Sequence, residues 1–400
     1  MAAVRCGVLA VCALLWATLA AAQTGGGSAT GRFFLGPFRW SPTLLLREAG
    51  VDGNVFNVPK TETPSEDRYA VFQPQVDGTL SLGIAEISTQ AAATLTYFER
   101  YRNQRSTGYR GLVRAEFPVR LRPAVGATWL RSRERSNNEI DLRAPFSQSS
   151  VTLGITSRVT NRAALQLNGS RSLIEYDKGV VVAGEQLSEQ LNRETTAVQG
   201  TLRIDISGLT FLLLDVTGSR DSFVETPDRQ TDNFRTSVGL EFAPDAVIRG
   251  RASLGYQKQV SRGQGGFPFD GLIASVDLSY ALLDRTRVDG RLARGTNYSV
   301  LTGEEYYLST AGGVEITHNL LGPLDLIVRG NRERLDYSFT PGGVGGRVDW
   351  SDTYGGGIAV RVTQQVRTSL NYEVTQRESS AGVENGFLRR RVFATFSVGL

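Results

Sequence analysis

From Phe38 to the end of the chain, apolar and polar side chains alternate one for one. Leu202, Ile204 and Ile206 are interleaved with Arg203 and Asp205. Phe234, Thr236, Val238, Leu240 and Phe242 alternate with Arg235, Ser237, Gly239 and Glu241, and Leu272 to Tyr280 repeats the pattern around Ser275, Asp277 and Ser279. A period of two puts successive side chains on opposite faces of a strand, so each segment has one apolar and one polar face. The mature chain contains no uncharged window long enough for a transmembrane helix.

Alternation alone fits a soluble sandwich as well, and three further features separate the two. Many segments run to eleven residues or more, beyond the ordinary soluble strand of about 5–6 and long enough to cross a bilayer tilted. Aromatic residues mark segment ends at Trp40, Tyr97, Trp129, Tyr256, Tyr280, Tyr298, Tyr306, Tyr337 and Trp350, where interfacial girdles would lie. Connections mostly alternate long and short. Ala49–Arg68, Glu134–Gln148, Asp177–Asn192, Ser222–Thr231 and Ser338–Asp349 are long, while Asn161-Arg162, Ser207–Leu209, Pro244–Ala246, Leu283–Arg285 and Thr363–Gln365 are short. The pattern predicts an all-β chain: a transmembrane, antiparallel, up-and-down β-barrel of about 18 strands, with 16 as the alternative. The first strand falls near 38–48, the sixth near 149–159 and the last near 387–400. Both termini are then periplasmic. On this parity Leu240, Leu278, Leu370 and Phe396 face lipid, and Arg235, Asp277, Glu373 and Thr395 face the lumen.

The start of the chain reads as a signal peptide over residues 1–22. Arg5 supplies the positive charge, Gly7 to Ala20 the apolar run and Ala20-Ala21-Ala22 the cleavage site. Residues 23–37 form a short periplasmic segment and 38–400 the barrel. Both cysteines, Cys6 and Cys12, fall within the signal, so the mature chain holds no disulfide, thiolate nucleophile or Cys-ligated metal. The net charge of +4 is spread along the chain, with no basic tract for nucleic acid.

The final strand carries Val392, Ala394, Phe396, Val398 and Leu400 on one face up to the last residue, like the C-terminal signal of outer-membrane proteins, with Leu400 where an aromatic is usual. Asp52-Gly53-Asn54-Val55-Phe56 resembles the turn and Asn-Val-Phe that follow the first strand in the β-barrel porin 2 family of Gram-negative bacteria. Long hairpin segments such as Arg249–Tyr256 and Tyr354–Val362 add to the likeness. The resemblance implies the fold and an outer-membrane location. With that location go lipid and lipopolysaccharide as surroundings, and the C-terminal strand points to the barrel-assembly machinery as a partner. The resemblance says hardly anything of the cargo, for which small polar solutes are expected from the barrel size.

Candidate chemistry is sparse. His318 is the only histidine, and its parity points it outward at the periplasmic end of a strand, away from where a surface hydrolase needs a base. No nucleotide loop, metal-protease helix or calcium loop is present, and Gly342–Gly346 precedes no helix. Catalytic, cofactor and metal residues are therefore expected to be absent. The informative face is the inner one, where Arg203, Arg235, Arg249, Arg251, Arg287 and Arg291 accompany Asp277 and Glu241. Arg203–Asp215 and Arg287–Asp277 are expected as cross-strand pairs, with Arg251 and Arg291 expected unpaired near mid-height. A barrel of this size leaves an aqueous channel unless plugged, and the fifteen residues before the first strand are too few for a plug domain. The expectation is a porin-like channel for passive or gated passage of polar solutes. The alternative is a non-conducting scaffold in envelope or exopolysaccharide export.

Overall fold

The computed structural model describes residues 33–135, 137–182, 184–263, 268–283, 285–301, 305–337 and 346–399. The signal segment, Gly342–Gly345 and Leu400 lie outside them. Eighteen long strands form one closed antiparallel ring: β1 (Phe38–Asp52), β2 (Asp67–Ser81), β3 (Glu86–Phe98), β4 (Ser106–Glu116), β5 (Pro123–Glu134), β6 (Ala144–Thr160), β7 (Ala163–Tyr176), β8 (Arg193–Asp205), β9 (Thr210–Phe223), β10 (Thr231–Phe242), β11 (Ile248–Ser261), β12 (Phe269–Leu282), β13 (Thr286–Tyr298), β14 (Tyr306–Leu321), β15 (Leu324–Asp336), β16 (Val348–Arg361), β17 (Val366–Ser379) and β18 (Leu388–Gly399). Each strand pairs with the next, and β1 pairs with β18 from Thr43↔Gly399 to Asp52↔Arg391, which closes the ring. A short strand, Phe33–Leu35, doubles back on Phe38–Trp40 at the periplasmic rim.

Local chemistry fixes the turns. Thr363 Oγ1 accepts bonds from the amides of Gln365 and Val366, closing the short β16–β17 connection. Gly322 supplies the positive φ of the β14–β15 turn. In β1 the ladder slips between Leu46 and Ala49 in its pairing with β18, and a matching irregularity appears opposite β2. This bulge turns both Arg47 and Glu48 inward, where Arg47 reaches Gln73 and Glu48 accepts from Tyr69 and Arg391. Just beyond it, a Cβ on Gly50 would lie 1.9 Å from the Val392 carbonyl, so glycine alone fits this approach of β1 to β18.

The polarity is inside out. Leu165, Leu214, Val238, Leu254, Leu272, Val328, Ile358 and Leu370 are exposed on the outer wall, whereas Asp215, Gln257, Asp325, Asn371 and Glu373 are buried inside. Only a hydrocarbon solvent makes that distribution favourable. The expected facing holds: Leu240, Leu370 and Phe396 are exposed outward. Glu373 is held by Arg391 and Arg329 on the inside, and Thr395 bonds Ser369. His318 faces outward and shares a hydrogen bond with Thr286, 2.8 Å away. β6 begins five residues earlier than the alternation predicts, at Ala144.

The aromatic girdle holds in part. Tyr97, Trp129, Tyr256 and Tyr280 are exposed as expected, but Tyr306 and Tyr337 are almost wholly buried, and Tyr298 packs against Phe223. Tertiary folding of the outer connections takes these three inside.

An outer-face substitution measures the facing directly. Leu254→Arg is expected to cost about 2–4 kcal/mol near mid-membrane, while Ser275→Arg on the facing inner wall costs little. Urea unfolding of the barrel in lipid vesicles reads both, and equal costs would contradict the assigned register.

Candidate functional site: a loop-capped lumen

At the end opposite the termini the connections fold into the ring. The Asp52-Gly53-Asn54-Val55-Phe56 segment is the first hub. Asp52, fully buried, is clasped by the Arg389 guanidinium and accepts the Asn54 amide. The Asn54 side chain donates to the Val58 and Leu388 carbonyls and accepts from the Val58 amide. A polar pair this well satisfied fixes the loop without requiring water. The fixed loop then presents the Val55 carbonyl to Arg135, 2.8 Å away, and Arg135 also donates to the Asp141 carbonyl.

Arg135 thereby anchors the connection between β5 and β6, which crosses the lumen. Its Asn138 reaches Glu333 on β15, on the far side of the ring, and its Asp141 pairs with Arg377 on β17. Arg377 also grips Asp349, which Arg347 holds at 2.7 Å. The same crossing loop also makes apolar contacts. Ile140, Ala144 and Tyr176 pack with Leu187 and Leu191 of a one-turn helix (Leu187–Leu191) and with Val300.

Glu139 is a carboxylate of this cap that forms no ion pair among the described residues. Its Oε1 accepts from Ser299 Oγ at 2.5 Å and its Oε2 from the Val300 amide at 3.2 Å. Burial pushes its pKa up to about 7, only partly offset by those two bonds and by Arg347. Tyr337, Tyr307 and Arg229 also lie within electrostatic reach.

The opposite end, the periplasmic side, holds a cavity of about 820 Å³ lined by Arg120, Arg122, Arg158, Arg203 and Arg251, against Asp205 and Glu241. A second gap, about 350 Å³, runs beside the crossing loop along β1 to β5, between Arg47, Gln73, Thr94, Thr96, Arg110 and Glu134. Of the residues singled out by parity, the structure brings Arg203, Arg251 and Glu241 into the periplasmic cavity. Arg249 turns back to the Ala246 carbonyl, and Arg235 forms no ion pair among the described residues.

The pairing differs from expectation. Arg203 meets Glu241 at 3.4 Å and Asp205 at 3.9 Å rather than Asp215, and stacks on Phe211. Asp215 belongs to Arg251, so Arg251 is not unpaired. Arg287 takes Asp289 on its own strand, leaving Asp277 to the directly opposed Arg291, 3.7 Å away. The inner wall is concave, so side chains converge and an arginine can reach past its neighbouring strand. Planar ladder reasoning does not capture this. Parity over strands also missed Arg120 and Arg122, which sit in the Phe117–Arg122 turn, and Glu139, whose loop betrayed itself only by carrying Ile140 and Leu142.

A closed ring with a lipid-facing apolar wall and a charged, loop-capped lumen defines an outer-membrane β-barrel of the porin class. The family described as "Putative beta-barrel porin 2" matches residues 35–398, and the chain belongs to it. Among solved structures it is similar to OpdO of Pseudomonas aeruginosa, at 12% identity over 90% of this chain and 97% of that one, with a TM-score of 0.54. It is also similar to OpdK of Pseudomonas aeruginosa, solved with vanillate, at 12% identity over 92% and 100%, TM-score 0.52. A BenF-like porin from Pseudomonas fluorescens Pf-5 matches at 11% identity over 92% and 100%, TM-score 0.52. At such identities the likeness is one of fold. Comparison with curated proteins returned no match.

The raised value at Glu139 makes cap stability pH-dependent. The packed cap binds the proton more tightly than the opened one, so its stabilisation is complete at acidic pH and is lost as pH rises through about 7. Protease cleavage of the outer loops on intact cells should therefore increase between about pH 5 and pH 8, and Glu139→Gln should abolish the increase.

Proposed function

We propose that the barrel is a gated channel for small polar solutes and favours anions. The observation that carries this reading is the periplasmic cavity, whose five arginines face two acids. In a narrow low-dielectric passage such an excess concentrates its field and raises the local concentration of anions. Arg203 and Arg251 are partly neutralised by Glu241 and Asp215. Arg120, Arg122 and Arg158 form no ion pair among the described residues, so they carry most of the excess. The wider inner charges, Arg235, Arg249, Arg287, Arg291 and Asp277, would solvate the wall.

Residues 1–22 would direct export, residues 23–37 would lie in the periplasm, and the barrel-assembly machinery would insert the chain. We read the protein as a channel rather than an enzyme, since its one histidine faces away from the lumen and toward Thr286. The packed cap favours a second reading, a non-conducting scaffold in envelope or polysaccharide export.

Reversal potential in a salt gradient across a planar bilayer tests the first reading. The wild type should select anions, and Arg120→Ser with Arg158→Ser should shift the potential toward zero without orphaning any acid. A cation-selective wild type, or a double variant identical to it, would reduce the inner charge to solvation. A barrel that never conducts would support the scaffold.

A further inference from the structure

The ring is not fully zipped. β12 and β13 pair only from Leu282↔Thr286 up to Ala274↔Arg294. Above that level β12 continues from Ile273 to Phe269, paired with β11 alone, and β13 continues to Tyr298, paired with β14 alone. Two strand edges therefore face a seam. Arg294 bridges it, its Nε donating to the Leu272 carbonyl at 3.2 Å, and Tyr306 adds a bond to the Pro268 carbonyl at 3.1 Å. Side chains here do what ladder bonds do elsewhere in the wall.

The freed part of the β13–β14 hairpin leans across the lumen. Thr296 Oγ1 bonds Gln257 and Gln259, which lie on the inner face of β11, two strands away. Tyr298 reaches farther, donating to Asp221 on β9 at 2.7 Å and packing edge-on to Phe223. Along the wall β9 and β13 are four strand intervals apart, about 19 Å, so this contact requires the hairpin to cross inside the ring. Ser299 and Val300 at the upper end of β13 are pinned there by Glu139, and Arg229 Nη2 donates to the Ser299 and Glu305 carbonyls.

The sequence of the hairpin is also compatible with a different position. On lower β13 the even-numbered residues Val288 and Leu292 point outward, and Val314 and Ile316 do so on β14. Continuing that parity upward gives Thr296 and Tyr298 on one strand, Leu308 and Tyr306 on the other. Aromatic and apolar groups at the top of an outward face are what the outer membrane interface takes up. In the folded hairpin they are buried instead, Tyr306 to 1% exposure and Leu308 to 2%. Extending the Ala274↔Arg294 register would set Ile273 against Gly295, Leu272 against Thr296 and Gly271 against Asn297, consuming both open edges. The seat beneath the hairpin is incompletely satisfied as well: Gln257 Oε1 and Gln259 Nε2, both buried, have no hydrogen-bond partner there.

We infer that the β13–β14 hairpin is a two-position lid, either folded across the lumen and pinned by Glu139 and Arg229, or erect and zipped to β12 in the wall. Arg294 is the hinge-side clasp, holding the seam together while the ladder is open. Each position satisfies what the other leaves unpaired: side-chain bonds to the inner wall when folded, backbone pairs and interfacial aromatics when erect. Its gating role rests on the channel reading, but the two positions themselves do not.

The test is thiol crosslinking between Leu272→Cys and Thr296→Cys in the full chain in outer membranes, with each single-cysteine chain as control. In the folded position Leu272 faces lipid and Thr296 the lumen, so the pair cannot meet. When erect they are directly opposed, within reach of a disulfide. The crosslinked species should accumulate on oxidation, several-fold faster when Arg229→Ala removes one pin. Crosslinking should raise bilayer conductance, reversibly with reductant. Thiols that stay free in both backgrounds, in barrels whose heat-modifiable migration shows them folded, would overturn the lid. A crosslink that leaves a conducting barrel unchanged would overturn its gating role. A crosslink in a barrel that conducts in neither state would leave the lid standing and remove the channel.

Discussion

Everything in this molecule follows from the cost of an unpaired peptide group in hydrocarbon. A strand crossing a bilayer must find partners for every amide and carbonyl on both edges, and only a closed ring supplies them. Closure falls to β1 and β18, the two ends of the chain, and it is achieved with a bulge rather than a perfect ladder. Gly50 lets the backbones approach where the bulge bends β1, and the two residues turned inward, Arg47 and Glu48, become part of the lumen wall. One local irregularity therefore serves both the joint and the pore.

The same solvent inversion sets the character of the interior. With the hydrophobic term assigned to the outer wall, the inside is held by charge and hydrogen bonds. Glu48–Arg391–Glu373–Arg329 runs around one part of the wall and Asp141–Arg377–Asp349–Arg347 ties the cap to it. Such networks are directional, so they fix loops in particular places. An apolar layer around Ile140, Leu187 and Val300 completes the cap where water is excluded. The barrel is consequently asymmetric along its axis, packed at the outer end and holding an arginine-lined cavity at the periplasmic one.

The seam between β12 and β13 is the exception that this constraint makes informative. A wall strand normally has every reason to stay zipped. Here the upper hairpin exchanges ladder pairs for contacts with side chains on β9 and β11, and an arginine covers part of the gap. The exchange takes place at the outer end, where water can solvate the exposed edges and lower the cost of opening.

The sequence by itself determined the class of solvent, the strand count and the face each strand turns to lipid. Those properties are periodic and local: alternation over eleven or more residues, Thr363 in a tight turn, apolar Leu240, Leu370 and Phe396 in phase. It also marked Asp52 to Phe56 as special, though not that this segment anchors a crossing loop through Arg135. Tertiary structure alone decided which arginine meets which acid, because curvature brings Arg251 to Asp215 across an intervening strand. It alone took Tyr298 and Tyr306 inside, and it alone made Glu139 a buried acid. These depend on contacts between segments far apart in the chain, and alternation along one strand carries no information about which distant loop will fold onto it.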